Sequence, residues 1–78
     1  MSKDELLQRV TTDRNVCGGM AVVRGMRVPI AIILDSLAEG LTPEEIIGHY
    51  PHLTVDDIRG ALAYAAVLAE ENTWKFAI

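Results

Sequence analysis

The run Ala21-Val22-Val23-Arg24-Gly25-Met26-Arg27-Val28-Pro29-Ile30 decides how this chain is read, because in it the pattern changes from strand-like to helix-like. Short β-prone stretches flank Gly25-Met26, and a Gly-X pair in that setting suits a two-residue hairpin turn. Such a turn would set Arg24 opposite Arg27. Like charges at paired strand positions repel by about 0.2–1 kcal/mol, which an anion or a partner carboxylate would offset. The alternative is that both side chains splay into solvent or reach acids elsewhere in the chain. Pro29 then suits the first position of a helix, where a missing N–H costs nothing.

Working outward toward the C-terminus, Ile30, Ile33, Leu34 and Leu37 recur at helical spacing and Gly40 can close that helix in the left-handed conformation. Thr42-Pro43-Glu44-Glu45 is a capping box with proline at the first helical position, and Leu41 with Ile46 forms a candidate hydrophobic staple. This second helix, residues 43–49, must stop before Pro51. Thr54 caps a third helix that runs to about Glu71, with Asp56 and Asp57 at its positive end. Its inner face is expected to be Val55, Ile58, Leu62, Ala65 and Leu68 or Ala69. The remaining face, Gly60, Ala63, Tyr64 and Val67, is also mostly apolar, so burial against a second chain is expected there. The alternative is an alanine-rich helix selected for propensity alone. Trp74, Phe76 and Ile78 alternate as in a strand and would share one face. That tail would join the N-terminal hairpin, cross to a second subunit, or fray.

Toward the N-terminus the reading divides. Ser2 and Glu5 have capping-box spacing for a short helix, whereas Leu7 to Thr11 alternates like a strand, and the strand is favoured. Residues 12–15 read as one turn and Gly18-Gly19 as another. The expected fold is α+β, mainly α, in one domain over residues 1–78. A β-hairpin region occupies 7–28, a three-helix, helix-turn-helix-like bundle 29–71, and a strand-like tail 72–78.

Composition narrows the function. Half of the 78 residues are apolar but only Tyr50, Tyr64, Trp74 and Phe76 are aromatic, so the core is small and aliphatic and a deep enzyme pocket is disfavoured. The net charge is −4, unlike the basic balance of a typical nucleic-acid binder. The charge is uneven: residues 1–27 carry five bases against three acids, and residues 28–78 carry Arg59 and Lys75 against eight acids. A basic head on an acidic body points the head at anions, and Arg9, Arg14, Arg24 and Arg27 are the candidate contacts; ordinary solubilising charge is the plainer account. The single cysteine, Cys17, cannot form an internal disulfide and fits a reducing cytoplasm. No signal peptide or lipidation motif is visible, and the longest apolar stretch, Val28 to Leu34, is too short to cross a bilayer.

Catalytic, metal and cofactor constellations are not expected. Cys17, His49 and His52 fit no zinc spacing. Glu44-Glu45 and Asp56-Asp57 sit in first helical turns, where acids stabilise structure. In a DNA-reading helix-turn-helix the second helix enters the major groove by its N-terminal end. Here that end is Val55-Asp56-Asp57, which phosphates would repel, with only Arg59 to answer them. The arginines around the hairpin are better placed for DNA.

Gly18-Gly19 and Val22-Val23-Arg24-Gly25-Met26-Arg27-Val28-Pro29 resemble the GGxPVIRGTRIPV run of the DUF433 family. Leu37-Ala38-Glu39-Gly40, Glu44-Glu45-Ile46, Tyr50-Pro51-His52-Leu53-Thr54 and Ala61-Leu62-Ala63-Tyr64-Ala65-Ala66 continue the resemblance in order, over roughly residues 7–68. It departs at Met20-Ala21 for Lys-Pro, Met26 for Thr and Arg14 for Pro, and loss of the lysine lowers the local positive charge. The resemblance implies a small hairpin-plus-bundle fold that is often dimeric. For some members it implies an antitoxin that neutralises a PIN-like ribonuclease toxin and binds its own promoter DNA. The expectation is therefore a cytoplasmic, non-enzymatic binding protein of that kind; a homodimeric interaction module without nucleic acid is the alternative.

Overall fold

The computed structural model describes residues 1–71, with Cys17 described by its backbone alone. The expected strand of the tail, with Trp74, Phe76 and Ile78, lies outside the described residues. The order is α1 (Lys3–Leu7), β1 (Val10–Thr12), β2 (Ala21–Val23), α2 (Ile30–Ala38), α3 (Pro43–His49) and α4 (Val55–Glu71). An antiparallel two-stranded hairpin and four helices thus give an α+β, mainly helical fold.

At the N-terminus the helix and the strand are both present, in succession. The Ser2 side chain accepts from Glu5 N at 3.2 Å while Glu5 Oε1 accepts from Ser2 N, also at 3.2 Å, which completes the capping box of α1. Leu7 is therefore the last residue of α1, and the strand begins only at Val10. β1 pairs with β2 in the register Val10↔Val23, Thr11↔Val22 and Thr12↔Ala21. Between the strands, Asp13 Oδ1 accepts from Asn15 N at 2.9 Å, a local side-chain turn, and a single 3-10 turn follows at Cys17–Gly19.

The second turn sits one residue earlier than the sequence suggests. Met26 N donates to Val23 O at 3.0 Å, so Arg24 and Gly25 are the central residues. Gly25 has φ +81°, the value a type II turn needs at its third position. Arg24 is consequently inside the turn and does not face Arg27 across a ladder. Val23 N still donates to Val28 O, and a single bridge joins Val22 to Pro29 before α2 begins. Pro29 is the N-cap of α2, with extended backbone, and is not its first helical residue.

The helical caps follow the chemistry of their sequences. Gly40, at φ +95°, lets Leu41 N reach back to Ser36 O and end α2. Thr42 and Glu45 form the capping box of α3. Thr54 Oγ1 accepts from Asp57 N at 3.2 Å and Asp57 Oδ2 accepts from Thr54 N at 2.9 Å, so an aspartate completes the same reciprocal arrangement on α4. The core gathers Val23, Ile30, Ile33, Ile46, Leu53, Ile58 and Ala61, with Leu41 and Tyr64 packed against it.

α4 is the hub, packing on α1, α2, α3 and β1. Its inner face differs from the expected one. Ile58 is buried as expected, but Val55, Leu62 and Leu68 are 48%, 49% and 41% exposed. The buried side carries Asp57, Ile58, Gly60 and Ala61. The reason is close packing: α1 lies so near α4 that only a residue without a side chain fits at Gly60. No helix among the described residues is long and apolar enough to cross a membrane.

Candidate functional site

The four arginines singled out by charge occupy different surroundings. Arg9 follows α1 and its Nη1 donates to Asp57 Oδ1 at 3.0 Å, while Nη2 lies 3.7 Å from Asp56 Oδ2. Asp57 is only 5% exposed, so this guanidinium supplies the charge partner of a buried carboxylate. Arg24 Nε donates to Gln8 O, and its backbone N donates to Arg9 O at 2.7 Å. Its side chain thus clips the turn after β2 to the chain entering β1. Arg14 and Arg27 are exposed, on separate loops. The fold therefore joins Arg9 and Arg24 through backbone at the start of the hairpin, and ties both into the protein interior or its main chain.

The acids at the start of α4 are also structural. Asp57 accepts from Thr54 N and from Arg9, so both its oxygens are engaged. At the start of α3, Glu45 is held below the usual carboxylate range, first by hydrogen bonding to the Thr42 backbone, then by the Thr42 side chain, with His49 adding a smaller attraction. Among the described residues no group of three or more His, Cys, Asp or Glu is placed to hold a metal ion.

The residues expected at a partner interface divide as well. Gly60 is buried, and a methyl group added there would come within 2.8 Å of the Leu6 carbonyl oxygen and 3.3 Å of Arg9 Cβ. Tyr64 is half-buried and packs against the core. Ala63 and Val67 are half-buried. The exposed apolar line on α4 is instead Val55, Leu62 and Ala66, with Arg59 among them. Positions 55, 59, 62 and 66 lie on one face because they are three, four and seven residues apart. Asp56 stands at one end of this line and Glu70 with Glu71 at the other.

Sequence reasoning missed one feature. The turn at residues 25–28 and the turn at residues 49–53 together line a cleft of about 590 Å³. It brings Arg27 near His49 and His52, groups separated by more than twenty residues of chain. Only the folded path of the two turns creates it, and no spacing rule would have found it.

Three comparisons bear on this architecture. The DUF433 family model, described as a protein of unknown function, matches residues 10–65. A curated relative, the uncharacterized protein y4eO of Sinorhizobium fredii (strain NBRC 101917 / NGR234), is 39% identical over 56 residues, covering 72% of this chain and 25% of the relative. The chain thus spans about a quarter of that relative's length. The crystal structure of a DUF433 member protein from Anabaena variabilis ATCC 29413 is similar at a TM-score of 0.73 and 28% identity, over 96% of this chain and 75% of that one. The family match runs from the first residue of β1 to Ala65 in α4, across the hairpin, the core and the N-terminal caps of α2, α3 and α4. This chain belongs to the DUF433 family.

Proposed function

We propose that this chain acts by binding, without catalysis, as an antitoxin-like module that covers the surface of a PIN-like ribonuclease in the cytoplasm. The observation that carries the reading is the exposed line Val55, Leu62 and Ala66 on α4, bounded by Asp56, Glu70 and Glu71. An apolar strip that carries Arg59, with Glu71 and the ion-paired Asp56 and Glu70 at its ends, suits a protein partner with an apolar centre and a charged rim. The acidic body of residues 28–78 reinforces that complementarity.

A promoter-binding role has less support. Arg9 and Arg24 are engaged within the fold, and the leading end of α4 presents carboxylates where a reading helix would meet phosphate. Such a role would rest chiefly on Arg14, exposed on the loop after β1. The second reading is a homodimeric interaction module. The seven-residue spacing of Val55 and Leu62 favours it, since that repeat lays one helix along another.

The test is reconstitution with the product of the adjacent reading frame. Stoichiometric addition of the purified chain is expected to suppress that product's cleavage of a fluorescent RNA, and Leu62→Glu is expected to abolish the suppression. A neighbour that is not a nuclease, or one that cleaves unimpeded beside excess folded protein, would overturn the toxin reading. A gel-shift series against upstream DNA at falling salt tests the promoter arm, because phosphate contacts are strongest at low salt.

A further inference from the structure

Arg59 stands in an unusual place for a cation. Three and four residues to either side along α4 its neighbours are Val55, Asp56, Leu62 and Ala63. Val55 and Leu62 are 48% and 49% exposed, so the guanidinium rises from an apolar row open to solvent. The one acid among those neighbours, Asp56, lies 3.7 Å from Arg9 Nη2. Among the described residues no hydrogen bond or ion pair holds the Arg59 side chain, whereas Lys3 is paired with Glu70 and Arg9 with Asp57. The free charge at the middle of the row is therefore positive, although residues 28–78 are acidic as a whole.

Residues 55, 59, 62 and 66 are four, three and four apart, the seam along which one helix lies on another, and the row is about 16 Å long. A second copy of this chain would bring no free carboxylate to Arg59. Asp56 and Glu70, which border the row, are ion-paired, and Glu71 lies half a turn round the helix from Leu62. An arginine framed by apolar side chains seats a planar carboxylate through paired hydrogen bonds, which strengthen as the frame excludes water. We infer that the row receives an amphipathic helix of a different protein, which sets a carboxylate on Arg59 and apolar side chains on Val55, Leu62 and Ala66. The inference rests on the partner reading above and adds to it the charge that the partner brings to the centre of the contact.

The test is the binding kinetics of the intact chain with the product of the adjacent reading frame, for the parent and for Arg59→Gln, Arg59→Lys and Arg59→Glu. Arg59 is exposed, so all three variants should keep the melting temperature of the parent. Arg59→Gln is expected to weaken the complex about tenfold or more, the worth of a charge-assisted hydrogen bond, through faster dissociation. Arg59→Lys, which keeps charge without the fork, should retain part of the affinity, and Arg59→Glu should lose more than Arg59→Gln. An acid-to-lysine scan of the partner should return one change that restores binding to Arg59→Glu. A complex as tight with Arg59→Gln as with the parent, or a loss confined to the association rate and erased by salt, would overturn the inference and leave the partner reading standing. A parent chain that does not bind the neighbour would overturn the partner reading itself, and the inference with it.

Discussion

Arg9 and Asp57, forty-eight residues apart, meet at 3.0 Å across the contact of α1 with α4. The pair links three local events. Asp57 caps α4 by accepting from Thr54 N, Arg9 satisfies the other oxygen of that carboxylate, and Arg9 O accepts from Arg24 N to begin the pairing of the hairpin. One arginine therefore couples the end of α1, the start of α4 and the hairpin.

Truncating Arg9 should cost more than an ordinary surface substitution. Asp57, 5% exposed in the parent, would lose the donor to its Oδ1. Arg9 is itself about a third exposed, which admits water and reduces the loss below that of a fully buried pair. Arg9→Ala is expected to destabilise by about 1–3 kcal/mol, or several degrees in melting temperature. A double-mutant cycle with Asp57→Ala should return a coupling of the same order. A melting temperature within a degree of the parent would show the pair to be incidental.

Two helical glycines should respond with opposite sign to the same change. In α3, a methyl group at Gly48 meets nothing within 4 Å, so Gly48→Ala gains helix propensity worth about 0.5–1 kcal/mol. In α4, the methyl group of Gly60→Ala would press on the Leu6 carbonyl oxygen at 2.8 Å, which is backbone and cannot swing aside. That variant should lose about 1–3 kcal/mol as α1 is pushed outward. Urea unfolding of both decides it; a stabilised Gly60→Ala would mean that α1 is loosely held.

The legible part of the fold was the part written in caps and turns. Thr42 with Glu45, Thr54 with the acids after it, and Gly40 each act within a few residues, so their sequence and their structure coincide. What could not be read was set by contacts across the chain. Leu7 to Thr11 alternates like a strand, yet the Ser2–Glu5 box claims Leu7 for a helix, and both patterns are present in the same few residues. The inner side of α4 was misassigned because weighting by size favours Val55 and Leu62. The closest packing in fact falls at Gly60, against the end of α1, while Ala61 is buried in the core. Arginines read as anion contacts gave no sign of their internal partners, since charge along a sequence carries no information on which carboxylate or carbonyl will approach it. The cleft of residues 25–28 and 49–53 was invisible for the same reason.

Acid should weaken the start of α3 through Glu45. Its carboxylate is held below the usual range chiefly by the Thr42 backbone N–H, so the charged form is favoured in the folded state. A group lowered in this way contributes stability that is present above its unfolded value, about 4.3, and is lost as pH falls through its folded value. In Thr42→Val the hydroxyl goes but the backbone donor stays. Glu45 should then titrate higher than in the parent and still below an ordinary glutamate. Carbon-13 titration of the side-chain carboxyl checks it, and a parent Glu45 titrating at the ordinary value would remove the basis of the argument.

The partner face of α4 can be separated from its structural face by charge insertion. Leu62 is 49% exposed, so Leu62→Glu should change stability by no more than about 0.5 kcal/mol. Tyr64 packs against the core, so Tyr64→Glu would force a carboxylate among apolar side chains and should cost more than about 2 kcal/mol. Light scattering completes the comparison. If the line from Val55 to Ala66 meets a second copy, the parent should exceed the monomer mass and folded Leu62→Glu should fall to it, because a charge would be buried at the contact. If the line is reserved for a different protein, parent and variant should both be monomeric and differ only in complex formation. A Leu62→Glu variant that keeps every assembly of the parent, with unchanged affinity, would show that this face meets only water.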